Sequence, residues 1–221
     1  MTFELPGYPG RGVAVHRHRD GGLEWIYLLT GRSEPSRRRI LRAEADRLLV
    51  LPTDGDGEPD PLRHDACIRL VGAHLVIGNG DHVDQLADAI DRGTPLDDVV
   101  AGLQPEPDAP IHTPRIAVVA PSLAEAAAVD VVTVRRDDGA TQRLLAPVVL
   151  EAGAGVLVHT YGGGTDDVIA DASAHPFEAG PPGTDVAGRL WHALDPGLRV
   201  ALAVGLVPSP IPERVLTERR P

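Results

Sequence analysis

The fold is decided by residues 8–33, which read YPGRGVAVHRHRDGGLEWIYLLTGRS. This stretch contains two short apolar runs, at 12–15 and 25–29, that are each the length of a β-strand and close enough to form a hairpin. Further runs of the same kind follow, bounded by Gly, Pro or Asp, at residues 47–51, 67–71, 74–77, 115–120, 129–134, 155–159 and 200–207. The sequence therefore predicts a chain dominated by strands.

Helical spacing of apolar residues is clear in only three segments, at 36–45, 81–92 and 185–194. Asp81 and Asp185 are the expected N-caps, and Gly93 is the expected stop of the middle helix. Because runs of strands are interrupted by few helices, we predict an α+β fold with mainly antiparallel sheets rather than a β-α-β alternation.

The chain is strongly acidic, with 21 basic and 32 acidic side chains and a formal net charge of −11. This balance repels phosphate polymers and anionic lipid, so we expect no nucleic acid partner and no membrane partner. The sequence contains no lysine, so every basic side chain is an arginine. This excludes Schiff-base enzymes, pyridoxal enzymes and P-loop proteins, because each of these needs a lysine.

The 221 residues and 43% hydrophobic content suffice for one substantial core. We predict a single domain over residues 1–207 and a C-terminal tail over 208–221. The only cysteine, Cys67, has no partner for an internal disulfide, and no charged-then-apolar leader opens the sequence. We therefore expect a cytoplasmic protein.

Arginine and hydroxyl side chains gather in residues 31–39, which read GRSEPSRRR and join a predicted strand to a predicted helix. Guanidinium groups, hydroxyls and free backbone N–H groups in one place are what a phosphomonoester needs. A solvated basic helix face explains the same residues equally well.

Two other turns concentrate polar chemistry. Residues 79–84 read NGDHVD, which places an amide, an imidazole and carboxylates between a strand and a helix, although a plain capped turn has the same composition. Residues 106–116 read EPDAPIHTPRI, and their three prolines lower the entropy cost of holding Glu106, His112 and Arg115 in place. Such rigidity suits a functional site and also suits a structural lid.

His16 and His18 lie two residues apart on a predicted strand, so both side chains face one side, as in half of a zinc site. No cysteine or carboxylate stands at matching spacing in the sequence. We therefore expect no metal site at this pair.

Four of these segments, in this order, resemble the stand-alone (archaeal-type) IMP cyclohydrolase family, and its bacterial branch in particular. They are residues 8–12, 31–37, 79–84 and 106–116. The resemblance implies a four-layer αββα sandwich resembling the N-terminal nucleophile hydrolases, without their self-processed nucleophile. It also implies a cyclohydrolase that closes the purine ring of 5-formamidoimidazole-4-carboxamide ribonucleotide to give IMP and water, with no metal and no organic cofactor.

The resemblance assigns roles to individual residues. Glu106 is the expected proton-transfer group with His112 in reserve, and Asn79 is expected to donate to the oxyanion that forms on the formyl oxygen. The residues expected to bind substrate, with the first three on the 5′-phosphate, are Arg32, Ser33, Arg37, Arg11, Arg115, Asp81 and Asp84.

Two other functions stay open at this stage, because the chain departs from the family pattern at Ile111, at His112 and near Asp65. One is a paralogue that acts on a related ribonucleotide in secondary metabolism. The other is a nucleotide-binding protein without catalysis. In each case the partner is a small ribonucleotide, and a homo-oligomer is left open.

Overall fold

The computed structural model describes residues 3, 5–53, 65–121 and 128–218, whose backbone forms mostly strands. The helices are α1 (Glu34–Arg37), α2 (His82–Asp91), α3 (Leu96–Gly102) and α4 (Val186–Ala193). The strands are β1 (Arg11–Arg17), β2 (Leu23–Thr30), β3 (Arg39–Ala43), β4 (Arg47–Pro52), β5 (Asp65–Val71), β6 (His74–Gly78), β7 (Arg115–Pro121), β8 (Ala128–Asp137), β9 (Ala140–Val149), β10 (Ala154–His159), β11 (Tyr161–Gly163), β12 (Val168–Ala170), β13 (Ala174–Glu178), β14 (Arg199–Leu206) and β15 (Arg214–Thr217).

Two large sheets organise these strands. The first has six strands in the order β13-β10-β1-β2-β14-β15, and the second has seven in the order β3-β4-β5-β6-β7-β8-β9. A small ribbon pairs β11 with β12. Neighbouring strands pair antiparallel throughout the described residues. The prediction of mainly antiparallel sheets with few helices is confirmed.

The main core lies between the two sheets. Val13 and Tyr27 from the first sheet belong to the same buried cluster as Ile77 and Val118 from the second. Alternating side chains of each strand point to opposite faces of a sheet, so each sheet also has an outer apolar face to cover. Burial between the sheets therefore fixes both strand registers at once.

Helices cover parts of the outer faces. Leu190 of α4 is buried in a cluster with Leu28 of β2, on the outer side of the first sheet. Leu86 of α2 and Val100 of α3 are buried with Val76 of β6, on the outer side of the second. Asp185 caps α4 as predicted, since its Oδ1 accepts a hydrogen bond from Gly188 N at 2.8 Å.

All nine strand predictions are confirmed, with ends that differ by a few residues. The helix predicted at 36–45 is wrong, because α1 ends at Arg37 and β3 begins at Arg39. Arginine, leucine and alanine favour helices, but β3 instead pairs with β4 and packs Leu41 against the main core. Tertiary pairing therefore overrides local propensity here.

The helix predicted at 81–92 forms as α2, and Gly93 follows it with a φ of 67°. Asp81 occupies the N-cap position, but its side chain makes no capping hydrogen bond. Its carboxylate is hydrogen-bonded to Arg115 instead. The cap prediction is wrong because a buried guanidinium attracts the carboxylate more strongly than a backbone N–H does.

Several elements have no counterpart in the prediction. They are β3, β9, β11, β12, β13, β15, α1 and α3. Within the stretch assigned to a C-terminal tail, β15 pairs with β14 at the edge of the first sheet. Among the described residues, no helix has the length and apolar character required to cross a membrane.

The packing between the two sheets predicts that Ile77→Ala lowers the stability of the fold strongly. Ile77 is fully buried in the main core, so the truncation should lower the free energy of unfolding by about 2–5 kcal/mol. Ile211→Ala is the matched control, because Ile211 is 49% exposed and its loss should change stability by less than about 0.5 kcal/mol. Equilibrium urea unfolding measures both, and equal effects would contradict the assignment of the core.

Candidate functional site

A cavity of about 250 Å³ opens where the first sheet meets the loop before β7. The start of β1, the end of β2 and the end of β10 lie together there, because Gly12 pairs with both Leu28 and His159. The cavity is near the lower size limit of small-molecule pockets, about 300 Å³, which suits a compact metabolite rather than a polymer. Its lining is Tyr8, Gly10, Arg11, Thr30, Arg32, Ser33, Ser36, Arg39, Glu106, Asp108, Ile111, Thr113, Thr160 and Tyr161.

One side of the cavity is rich in groups that bind anions. Arg32 and Arg39 line it together with the hydroxyls of Ser33 and Ser36. The two serines form a capping box on α1, in which Ser33 N donates to Ser36 Oγ at 2.9 Å and Ser36 N donates to Ser33 Oγ at 3.3 Å. These reciprocal bonds hold both hydroxyls at the cavity wall.

Arg39 is the cation that the sequence analysis did not assign. Burial, reinforced by the neighbouring charge of Arg11, lowers its pKa. Its Nε is buried, and no group in the described part of the chain accepts a hydrogen bond from it. A buried guanidinium with an unused donor favours an anionic ligand. The run 37–39 signalled a cluster of arginines, but the switch from helix to strand decides which one faces the cavity.

The opposite side of the cavity carries an acid. Burial raises the pKa of Glu106 to about 7, although Arg11 and Arg115 oppose the rise. Glu106 N donates to Thr113 O at 3.0 Å, which closes the base of the 106–113 loop. A carboxyl group with a pKa near neutrality can both accept and return a proton at physiological pH.

Asn79 lies behind Glu106 and does not line the cavity. Its buried side-chain amide donates to Pro114 O at 2.9 Å and lies 3.4 Å from Glu106 Oε1, while its Oδ1 accepts from Ile116 N at 2.7 Å. These contacts satisfy the amide within the protein. Asn79 therefore joins the end of β6 to the start of β7 and fixes the loop that carries Glu106.

Arg11 lines the cavity from the start of β1. Its Nη1 donates to Asn79 O and lies 3.6 Å from Asp65 Oδ2. Burial raises the pKa of Asp65 to about 6, with Arg11 as the largest opposing influence. Two carboxyl groups with raised pKa values thus surround one buried guanidinium.

Arg115 is buried beneath the turn that follows β6. It is hydrogen-bonded to the Asp81 carboxylate, and its Nε donates to Gln104 O at 2.5 Å. His82 Nδ1 lies 3.3 Å from Arg115 Nη1, and burial with the charge of Arg115 lowers the pKa of His82 to about 3. A Cβ on Gly80 would lie 3.2 Å from Glu106 Oε1 and 3.3 Å from Arg115 Nη1, so glycine allows this close approach.

Three predicted site residues do not line the cavity and contact other parts of the protein. Asp84 forms an ion pair with Arg69 across α2 and β5. His112 has its Nε2 3.2 Å from Arg136 Nη1, outside the cavity lining. Arg37 lines a second groove and not the cavity, whereas Arg39 lines both. The structure brings together Arg11, Arg32, Ser33 and Glu106 at the cavity, with Asn79, Asp81 and Arg115 in supporting positions.

Two stacked tyrosines complete the wall between these sides. The rings of Tyr8 and Tyr161 have centroids 5.4 Å apart and planes inclined by 22°. Gly10, with a φ of 71°, allows the approach, because a Cβ there would lie 2.5 Å from Tyr161 Cδ2. Tyr161 OH lies 2.5 Å from Thr113 Oγ1, which ties the wall to the Glu106 loop. Sequence reasoning assigned neither ring a role, although Tyr8 lies in a quoted motif.

The histidine pair weighed as a zinc half-site acquires a carboxylate from the neighbouring strand. Glu24 pairs directly with His16 across β1 and β2, and His16 Nε2 lies 2.8 Å from Glu24 Oε1. His18 Nε2 lies 3.6 Å from Glu24 Oε2. A direct hydrogen bond already satisfies the His16 nitrogen that faces Glu24.

The fold and the site together define a class of protein. It is a protein of two antiparallel sheets with few helices, whose arginine-lined cavity has the size of a small metabolite and holds a carboxyl group with a pKa raised to about 7. A family model described as IMP cyclohydrolase-like protein matches residues 8–202, and the chain belongs to this family.

Curated relatives match over a shorter region. The chain is 38% identical over 120 residues to an IMP cyclohydrolase of Halobacterium salinarum, which covers 52% of this chain and 58% of that protein. It is 37% identical over 115 residues to that of Haloquadratum walsbyi (50% and 55%), and 33% identical over 117 residues to that of Methanococcus aeolicus (51% and 57%). The chain spans about half the length of the curated relatives it matches.

The raised pKa of Glu106 predicts a pH-dependent cost to the folded state. The pKa of Glu106 is about 7 in the folded protein and 4.5 for a glutamate exposed to water, as in the unfolded chain, so the folded protein binds this proton more tightly than the unfolded chain does. The stabilisation that comes from binding this proton is fully present below pH 4.5 and is lost as the pH rises to 7. Glu106→Gln removes this titrating group. The free energy of unfolding of the variant, minus that of the unsubstituted protein, should therefore rise by up to about 3 kcal/mol between pH 4.5 and 7.5.

Urea unfolding of both proteins across this pH range measures the difference. Asp65 changes stability with the same sign in both proteins, so the comparison removes the part of its contribution that is independent of Glu106. Stability curves that remain parallel across the range would contradict the buried, protonated state of Glu106.

Proposed function

We propose that this protein is a stand-alone IMP cyclohydrolase of the bacterial branch, which closes the purine ring of 5-formamidoimidazole-4-carboxamide ribonucleotide to give IMP and water. The observation that carries the proposal is that Glu106, with a pKa of about 7, faces the same small cavity as Arg11 and Arg32. The family membership and the names of the relatives support the same reaction.

The cavity suits the parts of such a substrate. The 5′-phosphate binds at Arg32 and Ser33, and Arg39 takes the place given to Arg37 in the sequence analysis, because Arg39 lines the cavity and Arg37 does not. Two guanidinium groups offer paired hydrogen bonds to phosphate oxygens. The tyrosine wall provides a flat surface for the imidazole ring.

Ring closure begins when the carboxamide nitrogen attacks the formyl carbon of the same molecule. A bound, folded substrate has the two groups in contact, which removes much of the entropic barrier. The Glu106 carboxylate takes a proton from the attacking nitrogen and gives it to the oxyanion, which forms the hydroxyl of a cyclic intermediate. Glu106 then takes the proton of the former formamide nitrogen as the new C=N bond forms, and it gives this proton to the departing hydroxyl, which leaves as water. A pKa of about 7 suits both transfers.

The remaining polar residues position these groups. Arg11 lines the cavity beside Glu106, so it is the cation assigned to the developing oxyanion on the formyl oxygen. Asn79 and Arg115 hold the Glu106 loop, and Asp81 orients Arg115. Asp84 and His112 have other partners and take no part in the proposed chemistry.

The proposal extends to the architecture and setting that the family resemblance implies. The two packed sheets with helices on their outer faces are consistent with an αββα sandwich resembling the N-terminal nucleophile hydrolases. A single domain over residues 1–207 would carry the whole site, with β15 extending its first sheet. The enzyme would serve purine biosynthesis in the cytoplasm, without a cofactor.

One observation favours a second function. Ile111 lines the cavity at a position where the chain departs from the family pattern, and the neighbouring His112 is engaged with Arg136. An apolar side chain there changes the surface offered to the ligand. A paralogue acting on a related ribonucleotide, or a nucleotide-binding protein without turnover, would have such a cavity.

Ring closure is tested by incubating the purified chain with the formamido ribonucleotide and following the ultraviolet absorbance change. Glu106→Gln should lower kcat by at least about 100-fold, because proton transfer is lost, while KM changes little. Glu151→Gln is the control, since Glu151 is exposed and outside the cavity. Turnover that survives Glu106→Gln removes Glu106 from the chemistry. Calorimetric binding of IMP without turnover by the unsubstituted protein would favour the non-catalytic function.

The phosphate contact is tested separately by calorimetric titration with IMP and with inosine, which lacks the phosphate. Arg32→Ala and Arg39→Ala should each weaken IMP binding by about 1.5–3 kcal/mol and leave inosine binding unchanged, because only the charged hydrogen bonds are lost. Arg37→Ala is the matched control and should have no effect. A loss below about 0.5 kcal/mol for Arg32→Ala, or an equal loss for both ligands, would rule out the phosphate role.

A further inference from the structure

A second cluster of polar side chains lies behind the tyrosine wall. His159 ends β10, His175 lies on β13, and Asp171 precedes β13. Asp171 Oδ2 lies 4.0 Å from His159 Nδ1 and 3.8 Å from His175 Nε2, and all three ligand atoms are within 4.8 Å of one another. The two imidazole rings stack with centroids 4.7 Å apart and planes inclined by 12°.

His159 is the most informative member of this cluster. Its side chain is almost completely buried, and its Nδ1 has no hydrogen-bond partner within the described ranges of the chain. A neutral imidazole that carries its proton on Nε2 has an unshared electron pair on Nδ1, which is free to bind an ion.

That electron pair faces the Asp171 carboxylate across a gap too long for a hydrogen bond. Two electron-rich atoms at this distance repel each other, and a cation between them replaces the repulsion by attraction to both.

Asp171 is held so that one of its oxygens remains available. Its Oδ1 accepts hydrogen bonds from Ser173 N at 3.1 Å and from Ser173 Oγ at 2.5 Å. Its backbone N donates to Thr160 O at 3.1 Å. These contacts satisfy Oδ1 and fix the backbone, so Oδ2 is the oxygen directed at both histidines.

We propose that His159, Asp171 and His175 form a binding site for a divalent transition-metal ion of the zinc class, with water in the remaining position. Two imidazole nitrogens and one carboxylate oxygen are a ligand set that zinc uses. Tetrahedral ligands around zinc lie about 3.3 Å apart. The two carboxylate–imidazole distances of 4.0 and 3.8 Å must therefore shorten by about 0.5–0.7 Å, and the distance between the two imidazole nitrogens, which is within 4.8 Å, by at most about 1.5 Å. His175 is 47% exposed and Asp171 is 23% exposed, which gives both the room to move and the ion a path of entry.

The ion would act as a clamp rather than as a catalyst. It would join the turn from β10 to β11 to the strand β13, and Tyr161 in that turn lines the cavity. The site is separate from the residues assigned to ring closure and does not depend on the proposed reaction. The cluster of His16, His18 and Glu24 differs in one respect: the His16 nitrogen that faces the carboxylate is Nε2, and a 2.8 Å hydrogen bond to Glu24 Oε1 already occupies it, whereas its unpartnered nitrogen is Nδ1.

The test is titration of the untagged full chain with zinc chloride by calorimetry, after removal of bound metal with a chelator. We expect one equivalent of zinc per chain and an increase in Tm at saturation, because the ion binds the folded state. His175→Ala and Asp171→Asn should each weaken binding at least tenfold and abolish the increase in Tm. Both positions are partly exposed, so both variants should fold, which circular dichroism checks.

His18→Ala is the matched control, since it removes a partly exposed histidine from the other cluster. Unchanged zinc affinity in this variant, together with the losses above, supports the proposal. The proposal is overturned if the unsubstituted chain does not bind zinc, if His175→Ala and Asp171→Asn bind it normally, or if binding is lost in His18→Ala alone. None of these readouts depends on turnover.

Discussion

The burial of charge at one end of the two sheets is the constraint on which the site depends. Glu106 and Arg39 are both largely shielded from water, and this burial favours the neutral form of each, since it raises the pKa of Glu106 and lowers the pKa of Arg39. Such desolvation costs several kcal/mol and persists only because the core between the sheets offsets it. The cost also gives the cavity its chemistry, since it holds an acid near neutrality opposite a guanidinium with an unused donor.

Antiparallel register explains why residues far apart in the sequence meet at this end. Gly12 at the start of β1 lies opposite Leu28 near the end of β2 and opposite His159 at the end of β10. Segments just outside these strand ends therefore converge on one edge of the sheet. The polar residues that line the cavity lie mostly in such segments, where they do not disturb the apolar pattern of the strands. Packing in the core fixes the register of the strands, and this register brings together the segments that line the cavity.

The sequence predicted the parts of the fold in which local pattern and tertiary environment agree. Runs such as 25–29 became strands because an unbroken apolar run of this length suits a strand that is buried on both faces. The segment 36–45 did not become a helix, because pairing with β4 decided its structure. β9 escaped prediction because its apolar residues do not alternate with polar ones, are interrupted by Pro147 and lie in a strand that is mostly exposed. Local propensity says little where a neighbouring strand supplies the hydrogen bonds.

The site follows the same logic. Arg11, Arg32, Ser33 and Glu106 could be found because they stand in turns with distinctive composition. The role of Arg39 in place of Arg37 could not be predicted, because it depends on where α1 ends. The cluster around His159 could not be predicted either, because its members come from separate elements. Tyr161 connects the two sites: its hydroxyl contacts Thr113 in the Glu106 loop, and it begins β11 two residues after His159. A shift of Tyr161 moves the Glu106 loop and the tyrosine wall together. Precise geometry in the cavity therefore requires that the segment behind the tyrosine wall is rigid.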